Sequence, residues 1–199
     1  MLGPKQKACF LDRLRGAKAT WKIWGNSLGT PDQRVDPQNL PPELGKCKGA
    51  DYGLAQAVAI GLIDGPRLFY SGKALTQTGG HGDSRSYEQP IPCSCCQGSA
   101  AISQVADGVD EVRRAARDEL RKGASQIKIM ASGGVASPSD PIWNLQYSEE
   151  EIRAVVWEAH SWRAYVMAHA YTSEAIRRCV TYGVRSIEHA NLIDAQTAK

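Results

Sequence analysis

The sequence predicts an α/β fold in which parallel strands alternate with helices, arranged as part of a (β/α)8 barrel. Three observations point there. After residue 108 an amphipathic helix followed by a short β-rich run recurs three times. Two of those runs alternate strictly, with one purely aliphatic face. The other face carries a lysine, and histidines stand at the ends of the later runs, where barrel folds place their reactive groups.

The elements follow in order. Residues 1–48 mix Trp, Pro, Gly and Lys with weak periodicity, and DQRVDPQNLPPELGKCKG reads as loop, so this stretch is expected to be poorly structured or unrelated to the rest. Residues 49–199 are expected to form the partial barrel. DYGLAQAVAIGLI sets Leu54, Val58 and Leu62 at helical spacing and stops between Gly61 and Pro66. PRLFYSG reads as a short strand, and 72–99, rich in Gly, Ser, Pro and Cys, as a long functional loop carrying TQTGGHGD. Val109, Val112, Ala116 and Leu120 form a helical stripe closed by Gly123, and a strand over 126–132 follows. Ser148 and Glu151 make a capping box for a helix bearing Ile152, Val155, Val156 and Ala159, with a strand over 164–170 behind it. Thr172 or Ser173 opens a third helix that Gly183 ends, a strand over 186–190 comes next, and Asp194 is placed to cap a further helix.

This order implies right-handed crossovers, in a barrel or an open doubly wound sheet. Alternation chooses between them. Lys128, Met130 and Ser132 share one face while Ile127 and Ile129 take the other; Tyr165, Met167 and His169 oppose Val166 and Ala168. Helices covering the aliphatic face would leave the polar face inside a barrel, with His169 and His189 at C-terminal strand ends.

Composition excludes several functions. A chain of 199 residues with 42% hydrophobic residues can build one ordinary core, and a net charge of +3 spread among interspersed acids and bases offers no nucleic-acid face. The longest apolar run, near 54–63, is too short to span a bilayer, and the N-terminal sixteen residues lack a leader-type apolar core, so a cytoplasmic protein without membrane or nucleic-acid partners is expected. The six cysteines lack the spacing of a disulfide framework and most read as reduced thiols; CSCC at 93–96 is a single cluster where a closed zinc site takes two ligand pairs.

A lysine within an apolar strand is costly to bury as an ammonium ion, and beside two strand-end histidines it suggests metal chemistry. Each residue also has a plainer reading. Lys128 alone would be a lysine that snorkels to the rim, His169 a satisfied core histidine, His189 a partner of Glu188, and His160 in WEAHSW a surface or packing residue. His81, in its Gly-rich loop, either contacts substrate or hydrogen-bonds the loop. Tyr171 either packs or donates a hydrogen bond to a developing oxyanion.

Taken together, TGGHGD, IKIMASGG, HAY and IEHAN over roughly 50–199 resemble the amidohydrolase superfamily, in its imidazolonepropionase-like and prolidase-like branch. The resemblance implies a TIM-type barrel and a metal-dependent hydrolase that cleaves a carbon–nitrogen bond in a small amide or dipeptide with a metal-activated water. It implies that Lys128 is carboxylated and that Lys128, His169 and His189 are the catalytic metal ligands; His81 and Tyr171, by their positions, are the candidates for the substrate side. One or two divalent metals are implied, zinc by ligand type, with Mn, Fe or Co as alternatives. The sequence also departs from that pattern. No histidine precedes His81, so the first-strand HxH pair has no counterpart, the eighth-strand aspartate lies beyond the sequence, and GKCKGA stands where relatives have a second strand. The expectation is therefore a fragment, catalytically incomplete, whose open sheet edges suit a homo-oligomer or a complementary chain. A non-catalytic metal-binding or chain-associating remnant is the alternative; a zinc or redox module on CSCC ranks last.

Overall fold

The computed structural model describes residues 50–83, 85, 88, 103–135 and 140–199. The CSCC cluster and residues 1–48 lie outside them. The described residues form a five-stranded parallel sheet with helices: α1 (Ala50–Ala59), β1 (Ala74–Thr76), β2 (Ser103–Val105), α2 (Gly108–Arg121), β3 (Gln126–Met130), α3 (Glu149–Ser161), β4 (Tyr165–Thr172), α4 (Ser173–Thr181) and β5 (Ser186–Leu192). Strand order is β2-β1-β3-β4-β5, every pair parallel. From β1 onward β3, β4 and β5 succeed one another as in a barrel wall, and β2 flanks β1 on the outer side.

The core places the helices on one face of the sheet, as in a barrel wall and unlike a doubly wound sheet. Val112, Ala116 and Leu120 of α2, Ile152 and Val155 of α3 and Cys179 of α4 all pack in one cluster with Leu75, Ile127, Ile129, Val166 and Ala168. All three helices thus cover the same aliphatic face, and Lys128, Met130, Met167 and His169 belong to the other. Burying Ile127 and Ile129 completely contributes roughly 1.5–3 kcal/mol each. Arg117 clamps α2 to α3 by donating from Nε and Nη2 to the buried Glu158 carboxylate at 2.9 and 2.7 Å.

Local signals held where they were strongest. Ser148 and Glu151 form both bonds of the capping box, Thr172 Oγ1 caps α4, and Gly123 and Gly183 leave α2 and α4 at φ 93° and 99°. Two expectations need correction. Residues 66–72 do not form a strand: Tyr70 reaches away to Lys122 and Ser125, and Gly72 turns the chain at φ 67° before the buried run Ala74–Thr76 enters the sheet. Aromatic β-formers marked the wrong segment, because burial decided which run pairs. Asp194 caps a turn instead of a helix, its Oδ1 accepting from Thr197 N at 2.7 Å.

Candidate metal and substrate site

The two loops that leave β1 and β3 build one side of the site. Thr76, Thr78 and Gln146 hold the TGGHGD loop: Gly82 N donates to Thr76 Oγ1 at 3.1 Å, Thr78 N and Oγ1 donate to Asp107 at 2.8 and 2.6 Å, and His81 N donates to Gln146 Oε1 at 3.0 Å. Beyond β3 the chain folds back on itself, with Gly133 N donating to Asn144 O and Gln146 N to Ala131 O. That return is tight. A Cβ at Gly133 would lie 1.9 Å from the Pro141 carbonyl oxygen, and one at Gly134 would lie 1.9 Å from His81 Cε1.

His169 is the centre of the cluster. It is 3% exposed, and its ring stacks on His81 at 4.2 Å with 16° between planes. It meets Tyr171 edge-on at 5.0 Å and His189 at 4.8 Å, while Tyr171 and His189 stack at 5.2 Å. Its Nε2 lies 3.1 Å from the Gly133 carbonyl oxygen. A carbonyl only accepts, so this contact assigns the proton to Nε2 and leaves the Nδ1 lone pair free. Burial holds the His169 pKa down to about 3, against a smaller opposing pull from the Gly133 contact, so the ring is neutral near pH 7.

His189 reaches the site through an irregular strand end. By register it pairs with Ala170, whose side chain is buried on the helix side. A register shift follows between Ala170 and Thr172, and His189 and Ala190 adopt φ 78° and 51°. Backbone of that kind costs roughly 1–3 kcal/mol per residue, and it turns the His189 ring towards His169 and Tyr171. Burial, then the Lys128 charge, lowers the His189 pKa.

Lys128 lies deeper on β3; Met130, two residues on, pairs with His169. Burial pulls its pKa down to about 8, with the Glu188 carboxylate opposing. All five residues that the sequence singled out for metal or substrate therefore share one region at the C-terminal side of the sheet, and His160 is exposed on α3 away from it. Among the described residues no group of three His, Cys, Asp or Glu side chains is placed to hold a metal ion, so a metal here would need Lys128 beside the two histidines. The donor chemistry fits such an ion: two imidazoles whose pKa values are lowered, one with a defined free nitrogen, and an amine drawn towards its neutral form.

Sequence reasoning missed three supporting residues. Ser132 Oγ, fully buried, accepts from Tyr171 N at 3.2 Å and donates to Gly133 O at 2.9 Å. Asp140 and Gln146, both 1% exposed, stand behind His81, with Gln146 Nε2 donating to Asp140 Oδ2 at 3.1 Å. Ser132, Asp140 and Gln146, standing within sixteen residues of the end of the lysine strand, were the available signal.

The amidohydrolase family profile matches residues 43–198, and the chain belongs to that family. It is 38% identical over 161 residues to an ochratoxinase of Aspergillus niger, covering 74% of this chain and 33% of that protein. Among solved structures it resembles a prolidase complexed with N-methylphosphonate-L-proline, at 62% identity and a TM-score of 0.71, covering 76% of this chain and 38% of that one. A Xaa-Pro dipeptidase with bound methionine in its active site matches at 33% identity and a TM-score of 0.65, over 75% of this chain and 36% of that one. The chain thus spans about a third of the length of these relatives.

Proposed function

We propose that this chain carries one metal half-site and part of the substrate pocket of a metal-dependent hydrolase that cleaves a carbon–nitrogen bond in a dipeptide, an N-acyl amino acid or a similar small amide. The observation that carries the reading is the convergence of Lys128, His169 and His189 from three successive strands. The prolidase, dipeptidase and ochratoxinase relatives support the substrate class.

In this reading Lys128, with its amine neutral more readily than usual, adds carbon dioxide and loses a proton, giving an anionic carbamate that serves as a hard oxygen ligand. His169 offers Nδ1 because Gly133 engages Nε2, and His189 completes the set. A bound divalent ion, zinc by ligand type with Mn, Fe or Co as alternatives, supplies an activated water and polarisation of the scissile carbonyl. His81 and Tyr171 flank these ligands and contact the substrate. With no HxH pair before His81, the chain by itself is incomplete for turnover. Its cysteine usage fits a cytoplasmic setting.

Metal analysis after growth with zinc and ¹³C-bicarbonate tests this. The expected result is about one metal per chain and a carbamate carbon signal, both lost in Lys128→Ala, with the metal also lost in His169→Ala. Wild-type chain without metal or carbamate overturns the reading. Metal bound without a carbamate signal favours the alternative, a metal-binding or chain-associating remnant, to which the exposed β5 edge at Asn191 and Leu192 is suited.

A further inference from the structure

Behind the stacked imidazoles lies a buried polar cluster to which the proposed chemistry gives no task. Asp140 Oδ2 is 3.2 Å from His81 Nδ1, with side-chain exposures of 0% and 17% respectively. Gln146 bridges the pair, donating to Asp140 Oδ2 through Nε2 and accepting the His81 backbone N–H through Oε1. Neither His81 Nδ1 nor Asp140 Oδ1 makes an aligned hydrogen bond among the described residues, although both atoms are buried. The carboxylate thus faces the ring nitrogen within reach but off the N–H axis. A buried carboxylate without full partners costs folding free energy, so its retention here needs a reason.

We propose that Asp140 is the positioning residue for His81: its carboxylate holds the proton on Nδ1, so that Nε2 is presented as an unprotonated acceptor beside His169. The proposal rests on the reading of His81 as a substrate contact. Three constraints fix the ring. His169 stacks on it, a Cβ at Gly134 would collide with its edge, and Gln146 holds its backbone N–H while the Asp140 carboxylate lies 3.2 Å from Nδ1. With Nδ1 buried, the exposed part of the ring lies elsewhere on it, and Nε2 is the only other nitrogen. An acceptor there suits a ligand that brings an N–H or O–H, such as the amine or protonated leaving nitrogen of a cleaved amide.

The test is the tautomer of His81 in the full, ligand-free chain, read from two-bond nitrogen–proton correlations of ¹⁵N-labelled histidine. The wild type is expected to show protonated Nδ1. Asp140→Leu removes the acceptor and should move the proton to Nε2, the form a free histidine side chain prefers. Asp140→Asn can still offer an oxygen and should retain the wild-type pattern at least in part. A folded Asp140→Leu chain that keeps Nδ1–H overturns the proposal. So does Nε2–H in the wild type, a result that needs no variant to fold. Titration with proline separates the two readings: if proline leaves the His81 signals unmoved while the wild type shows Nδ1–H, the substrate role falls and the positioning role of Asp140 stands.

Discussion

The Nε2–H of His169 donates to the carbonyl oxygen of Gly133 across 3.1 Å, joining β4 to the loop beyond β3. That one bond sets which face of a buried imidazole is left to bind. Its acceptor is a backbone atom on a glycine whose Cβ position is filled by Pro141. Towards His169 the loop thus acts through its backbone.

Gly133→Ala is the direct probe of this relationship. The added methyl would meet backbone, so the loop must shift and the carbonyl with it. We expect metal affinity to fall about 10–100-fold, the usual cost of losing the partner of a ligating histidine. Metal titration, with circular dichroism to confirm the fold, checks it; unchanged affinity would mean that the bond does not orient His169.

Lys128 gives the metal-free chain a pH dependence of defined sign. Its folded pKa is held down to about 8, against about 10.4 for an unfolded lysine. Between those values the unfolded chain binds more protons, so stability rises with pH across that window and this contribution is flat below it. The penalty removed is at most about 3 kcal/mol. Urea unfolding near pH 7 and near pH 10, in wild type and in Lys128→Met, measures it. The wild type should gain on the variant at the higher pH, and parallel behaviour would show that Lys128 is hydrated.

Cys179 is 1% exposed, and burial pushes its thiol up to about 11. The thiolate is the nucleophile, so in the folded chain this residue should resist alkylation near pH 8 and react once urea opens the core. Peptide mapping after iodoacetamide treatment distinguishes it from the other five cysteines. Cys179→Ser should lower stability by roughly 1–3 kcal/mol, the cost of a buried hydroxyl without a dedicated partner.

Much of this protein was legible from local chemistry. The capping box at Ser148, the glycine stops and the alternation around Lys128 each depend on a few adjacent residues, and each survives in the fold. The failures share a cause as well. PRLFYSG carries β-forming residues and stays outside the sheet, and Ala74–Thr76, a weaker signal, enters it because it is the run that becomes buried.

The site divides along the same line. The sequence by itself determined which residues meet, because strand ends in a parallel α/β unit gather on one side whatever the loops do. Only the tertiary structure decided how they meet. Simple alternation from the Ser186 side would give Glu188 the face of His169, yet the irregular backbone at His189 and Ala190 brings the His189 ring to that face instead. Asp140 and Gln146 likewise gain their meaning from a loop that folds back over β3 and buries them against His81. Backbone strain and the burial of polar groups are properties of contacts between distant segments, so periodicity and spacing along the chain do not encode them.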